Sequence, residues 1–228
     1  MDFIENFIMV VQRYGNLFVE GTFKTLQFSL IAVIGGVIGG FLLAVMRRSR
    51  LHIGNFRPLS FIATAYVEII RGTPILLQLY VFYFFLPQAL SFMEMTKFQS
   101  ICLALIGNSC AYVAEIFRSG IDAVDKGQTE AARSLGLNQM QTMVKVVLPQ
   151  AVKNILPALC NEFVMMIKET SLASTFFAGE IMSIYKTVNG ACYLVIEPLV
   201  LIAIIYFVLT FTLSKVVGVF ERRMKYSD

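Results

Sequence analysis

Four stretches of this sequence run for roughly a bilayer crossing without a single charged side chain: residues 25–46, 72–93, 98–114 and 198–214. A helix needs ~20 apolar residues to traverse the hydrocarbon core. A segment immersed in lipid must also satisfy its backbone polar groups internally, which leaves helices or closed barrels. Runs this long and this evenly apolar fit helices. A further stretch, about 155–183, is apolar but interrupted by Glu162, Lys168 and Glu169. The second crossing reaches upstream of its uncharged run and covers about 59–86. The chain therefore reads as all-α, a polytopic membrane protein with five transmembrane helices. Its 57% hydrophobic and 15% charged residues belong to the same class.

The basic residues divide by topology. With the amino terminus outside, thirteen fall in inside segments: Arg47, Arg48, Arg50, Arg57, Arg118, Lys126, Arg133, Lys145, Lys153, Lys215, Arg222, Arg223 and Lys225. Four fall outside (Arg13, Lys24, Lys97 and Lys186), and Arg71 and Lys168 lie within spans. This positive-inside bias sets an orientation with the N-terminus out and the C-terminus in. It also accounts for the net charge of +4 without nucleic acid as a partner. Residues 1–18 read as an external segment. Asp2 and Glu5 stand where a cleavable signal peptide would be positive. Phe3, Ile4, Phe7, Ile8 and Val11 share a helical face, which fits either an interfacial helix or an extension of the first span.

Nothing in the sequence suggests a metal centre. Cys102, Cys110, Cys160 and Cys192 show no C-x-x-C spacing, and His52 is the sole histidine. Gly35, Gly36, Gly39 and Gly40 form two small-xxx-small pairs, suited to close approach by another helix, most simply one of this chain's own. The second crossing is broken at Arg71-Gly72-Thr73-Pro74. Pro74 cannot donate the bond that would continue the helix, and Thr73 before it suits an N-cap for a fresh one.

Between the third and fourth crossings lies a polar segment, 118–149, that reads as two short helices around Gly136. Ala131, Ala132, Leu135 and Leu137 offer a small apolar knob ringed by Glu130, Arg133 and Lys145. An apolar patch held in water marks a docking surface. With Glu130-Ala131-Ala132, Gly136, Val146, Leu148 and Pro149 in order, the segment resembles the EAA loop of binding-protein-dependent ABC importer permeases, in which isoleucine is commoner than Val146. The resemblance implies that Glu130, Ala131, Ala132, Leu135, Gly136 and Leu137 couple the chain to a cytoplasmic ATPase.

Three further blocks narrow the resemblance. They are Glu68-Ile69-Ile70-Arg71-Gly72-Thr73-Pro74, Asn108-Ser109-Cys110-Ala111-Tyr112-Val113-Ala114-Glu115, and Asn161-Glu162-Phe163 with Lys168-Glu169-Thr170-Ser171-Leu172. Together they are similar to the polar amino acid permeases, the group serving histidine, arginine, glutamine and cystine, over about residues 21–220. Cys110 departs from the glycine or alanine commoner there. The resemblance implies the type I importer (MetI-like) fold, with a transmembrane domain over 19–220, a coupling loop at about 120–153 and a cytoplasmic tail at 221–228. It also implies a lipid-embedded assembly in the cell membrane: two permease subunits, identical or sister, above two ATPases and below an extracytoplasmic solute-binding protein. ATP and magnesium would belong to the ATPase. This chain has no G-x-x-x-x-G-K-[ST] phosphate loop and is expected to carry no cofactor and catalyse no reaction.

An ionisable side chain inside a span costs at least ~2.5 kcal/mol, so it needs a partner or a watery cavity. Arg71, at the helix break, fits a substrate carboxylate held by a guanidinium fork and by the N-terminus of the following half-helix, which begins at Thr73. The rival is a simple i, i+3 pair with Glu68. On the fourth span Glu162, Met165, Met166 and Glu169 recur at helical spacing, and Asn161 adds a neutral donor and acceptor. Such a stripe suits an ammonium group or a cationic side chain, and favours a cationic or polar neutral substrate over an acidic one. Structural pairing of Lys168 and Glu169 is the alternative. Two other classes remain at this point: an ion-coupled secondary transporter, which usually shows internal repeats, and a membrane sensor subunit docking a signalling partner.

Overall fold

The computed structural model describes residues 2–49, 51–52, 56–89 and 94–225. Arg50, the end of the second uncharged run at 90–93 and the tail residues 226–228 lie outside the described residues. Among the described residues eight helical stretches follow in order: α1 (Phe3–Arg47), α2 (Pro58–Arg71), α3 (Ile75–Ala89), α4 (Lys97–Asp122), α5 (Lys126–Ser134), α6 (Gln139–Phe176), α7 (Ile181–Cys192) and α8 (Ile196–Lys225). Four of them, α1, α4, α6 and α8, are long and apolar enough to cross a membrane, and α2 with α3, bent by 107°, are so when taken together. With the bent pair counted as one span, these match the five read from the sequence.

The fold decides between readings at one place and departs from expectation at two. First, of the two readings of residues 3–18 it has the extension of the first span: α1 runs unbroken for 45 residues, ~68 Å at 1.5 Å per residue. Its first turns pack through Asn6, Val10 and Phe18, while Phe3, Ile4, Ile8 and Val11 stay exposed. Asn6 Nδ2 donates to Glu197 Oε1 at 3.0 Å, both side chains buried, so a polar contact fixes which face turns inward. Second, the fourth crossing ends earlier than residue 183. It tightens into a 3₁₀ turn at Thr170–Phe176, and Phe177 adopts a left-handed conformation (φ 51°). Third, a separate helix, α7, follows. The buried Glu180 caps it, accepting from Met182 N (2.6 Å) and Ser183 N (2.8 Å). The apolar stretch concealed this reversal because it changes backbone conformation and hardly changes hydropathy.

Two wide π turns, Val81–Phe85 in α3 and Met143–Val147 in α6, each end two residues before a proline, Pro87 and Pro149. A proline ring clashes with the carbonyl four residues back in a regular helix, and a local π turn relieves that clash.

The most extensive packing is between α1 and α4. It is close because the α1 glycines have no side chain there: a Cβ on Gly36 would stand 2.3 Å from Ser109 Oγ, and one on Gly39 2.3 Å from Cys110 Sγ. The small-residue face is therefore used within the chain. A central core joins Phe28 and Ala32 of α1, Leu79 of α3, Ile101 and Leu105 of α4, and Met166 and Phe176 of α6. A second cluster, Val10, Phe18, Ile181, Val188 and Ile202, ties α1 to α7 and α8.

Candidate functional site: the broken span, the span-four acid and the docking loop

The break between α2 and α3 is held by side chains that give it a defined shape. Ending α2 leaves carbonyls without helical partners. Thr73 Oγ1 turns back to donate to Ile69 O (2.9 Å), so Thr73 closes the old helix and does not cap the new one. The residue at the N-cap of α3 is Pro74, which makes no side-chain cap bond. Gln78, buried in the first turns of α3, donates through Nε2 to Ile70 O (2.8 Å) and Thr73 O (3.1 Å). Its Oε1 accepts from Asn108 Nδ2 on α4 at 2.9 Å. Tyr66 adds a bond from its hydroxyl to Gly107 O at 2.8 Å. The break is thus anchored to one level of α4. Gln78 escaped sequence reasoning, although a glutamine inside an uncharged run, four residues after a Thr-Pro break, was a visible signal.

Arg71 does not pair with Glu68. Its ionic partner is Glu115 on α4, at 3.7 Å from Nη1 to Oε2, and its guanidinium lies over the Tyr112 ring with 5.7 Å to the centroid. Glu68 sits on the exposed face of α2, whereas Arg71 turns toward α4 and Glu115. Glu115 is a junction. Its Oε2 also accepts from Arg47 Nη1 at 3.0 Å, and its Oε1 accepts from Arg118 Nε at 2.9 Å and from Arg118 Nη2. Arg118 continues to Asp122 (2.8 Å), which pairs with Arg48 (2.9 Å). The ladder joins α1, α2 and α4 and ends three residues short of Asp125, the cap of α5.

On the fourth crossing Glu162 meets the same helix one level away, where Ser109 Oγ donates to Glu162 Oε1 at 3.1 Å. The expected stripe does not hold as a unit. Met166 is fully buried in the central core, whereas Met165 is 48% exposed and Asn161 is also exposed. Positions three and four residues from Glu162 fall on either side of it, and the core claims one of them. Met166 is therefore a packing residue. Glu169 is half-buried at the end of the regular helix, beside the exposed Lys168.

The docking loop has the expected helix–glycine–helix form, with a different division of labour. Asp125 caps α5 by accepting from Gly127 N (2.6 Å). The helix ends in a Schellman arrangement: Leu137 N donates to Ala132 O (3.2 Å), Gly136 N donates to Arg133 O (3.0 Å), and Gly136 takes φ +85°. That motif requires a residue free to adopt positive φ. Asn138 and Gln141 then form a reciprocal capping box that starts α6. Leu135 is 85% exposed and Met140 is also exposed, but Ala132 is only 5% exposed. The knob presented to solvent is Leu135 with Ala131 and Met140. Ala132 and the half-buried Leu137 occupy the motif's paired apolar positions and hold the loop together. Glu130, Lys126 and Arg133 stand exposed around the knob. A cleft of about 530 Å³, lined by Arg48, Asp122, Arg133 and Thr142 among others, separates the loop from the spans.

The chain as a whole is similar to known proteins. The family model described as binding-protein-dependent transport system inner membrane component matches residues 36–226. An arginine transport system permease protein of Bacillus subtilis is 40% identical over 92% of this chain and 93% of its own length. A probable glutamine ABC transporter permease protein of the same organism is 38% identical over 93% and 95%. A chain from a crystal structure of an amino acid ABC transporter with histidines superimposes with a TM-score of 0.88 at 43% identity, covering 98% of this chain and 99% of that one. A chain from inward-facing conformations of a methionine ABC transporter shares the fold, with a TM-score of 0.70 at 20% identity over 91% and 97%.

Proposed function

The chain belongs to the family of binding-protein-dependent transport system inner membrane components, and on that premise we propose that it is the translocation subunit of an ATP-driven importer of polar L-amino acids, cationic or neutral. The fold, the exposed loop and relatives named for arginine and, as a probable permease, glutamine transport support this reading. It acts in the cell membrane with its N-terminus outside and its C-terminus and docking loop inside, the orientation favoured by the positive-inside charge bias. Two such subunits, copies or sisters, enclose the pathway. A solute-binding protein delivers the amino acid from outside. Two ATPase subunits, which hold ATP and magnesium, dock at Leu135, Ala131 and Glu130 and supply the stroke.

The substrate part of the proposal rests mainly on one observation. A cation and an acid from different spans contact α4 within two turns of each other: Glu162 at Ser109, and Arg71 at Tyr112 and Glu115. Ser109 and Glu115 are ~9 Å apart along the helix axis at 1.5 Å per residue. A ligand with a carboxylate at one end and a cation or amide at the other is complementary to that pair. In this reading Arg71 takes the α-carboxylate through its guanidinium fork. Glu162, with Asn161, Met165 and Glu169 beyond it, takes the positive or amide end. Thr73 shapes the break beneath Arg71.

The test is uptake of a panel of labelled amino acids by proteoliposomes containing the permease, its ATPase and its binding protein. Arginine, histidine or glutamine should be accumulated in preference to glutamate. Preferential uptake of acidic amino acids, or of a substrate lacking a carboxylate, would overturn the assignment.

A further inference from the structure

Arg71 is offered to a ligand while already engaged by a protein carboxylate, and the way Glu115 is built makes that engagement releasable. Three guanidiniums converge on Glu115. Arg118 holds Oε1, while Arg47 and Arg71 share Oε2. The Arg71 contact, at 3.7 Å, is longer than the 3.0 Å Arg47 contact on the same oxygen. Arg71 is also the more exposed of these two arginines, with 38% of its side chain accessible. Removing the sole partner of a buried charge is costly because the charge is left uncompensated. Glu115 would lose one partner of three and remain paired to both others. The asymmetry suits a contact that is made and broken repeatedly.

We propose that Glu115 is a positioning residue that holds Arg71 in the empty state and yields it to the substrate's α-carboxylate, so that one carboxylate replaces another on the same guanidinium. This rests on the reading of Arg71 as the carboxylate ligand. The exchange keeps Arg71 paired at every stage, which lowers the cost of moving a cation inside a span. It also connects binding to the rest of the molecule. When Arg71 leaves, the Glu115–Arg118–Asp122 ladder is freed from α2 but stays attached to α1 through Arg47 and Arg48. The helix carrying the ladder leads into Asp125 and the docking loop. The substrate is thus sensed by the acid it displaces.

The exchange makes a prediction that a purely structural Glu115 does not. Glu115→Gln removes the competitor for Arg71, so the permease–ATPase complex in nanodiscs, without its binding protein, should bind L-arginine more tightly. The gain should be about 1.5- to 5-fold, the range expected for losing one half-exposed ion pair. L-argininamide, which has no carboxylate, should bind as before. Glu115→Asp keeps the negative charge but draws it back toward α4, which should weaken most the contact that is already longest, that of Arg71 at 3.7 Å. It should shift affinity in the same direction and serves if Glu115→Gln does not assemble. Asp122→Asn, which removes the other ladder acid, should leave the arginine-to-argininamide ratio unchanged. An unchanged or weaker arginine affinity in the Glu115 variants, or equal tightening of both ligands, contradicts the exchange, provided Arg71→Ala weakens arginine binding. If Arg71→Ala binds arginine like the parent, the underlying ligand assignment fails and the exchange fails with it.

Discussion

The Asn108 amide donates a 2.9 Å hydrogen bond to Gln78 Oε1 across thirty positions of sequence, so the break in the second crossing is fastened to the middle of the third. The other end of the same glutamine amide holds the carbonyls released by the break. One side chain thereby fixes where α2 stops, where α3 starts and how both sit on α4.

Gln78→Leu should therefore destabilise the chain by ~1–3 kcal/mol, the cost of leaving buried polar groups unpaired. Gln78→Glu keeps an acceptor for Asn108 but loses the donors to Ile70 and Thr73, and it should be impaired as well. Chemical or thermal unfolding of the purified complex measures both. Parent-like stability in Gln78→Leu would mean that the glutamine is not a clamp.

Gly39 and Cys110 should behave as a complementary pair. A Cβ on Gly39 would lie 2.3 Å from Cys110 Sγ but 3.5 Å from Cys110 Cβ. Gly39→Ala should cost ~1–3 kcal/mol by overpacking, and Cys110→Ala in the same chain should recover most of it. Additive losses in the double variant would show that the two side chains do not meet.

The docking loop should separate into outward and inward positions. Leu135→Asp alters a side chain that is 85% exposed, so it should abolish retention of the ATPase while leaving the permease's own melting unchanged. Ala132→Phe alters an inward position and should lower both. Gly136→Ala places a side chain at φ +85°, where no neighbouring atom lies within 4 Å of the added Cβ. Its cost is backbone strain of ~1–2 kcal/mol. Pull-down of tagged ATPase alongside melting curves distinguishes the three. Normal ATPase retention by Leu135→Asp would remove the knob from the interface.

Much of this architecture could be read from the chain because membrane insertion leaves a strong trace in composition. The five crossings, the break at Arg71 to Pro74 and the helix–glycine–helix loop all follow from runs, prolines and glycines. What stayed hidden depends on which way side chains point. Periodicity grouped Met165 with Met166, but only the tertiary fold puts Met166 in the buried cluster that also holds Phe28 and Leu105. Glu68 was the nearest acid to Arg71 in sequence, yet the partner comes from another helix. Ala132 looked like part of an exposed knob until the Schellman closure turned it inward. The start of α7 was lost at the end of an apolar stretch because the left-handed Phe177 leaves no mark on hydropathy.

Orientation can be tested directly from the charge distribution. On a background lacking native cysteines, single cysteines at Glu94 and Lys186 should react with an impermeant thiol reagent from outside, and one at Gln139 only after the inside is exposed. The reverse pattern would put the docking loop on the wrong side for ATP.

The most direct test of the central assignment is the energy source for uptake. Proteoliposomes containing the assembled complex and labelled arginine or glutamine are given internal ATP and no ion gradient, and separately an imposed proton or sodium gradient without ATP. Accumulation with ATP alone, lost in Leu135→Asp, is the expected result. Accumulation driven by the ion gradient in the absence of ATP would contradict it.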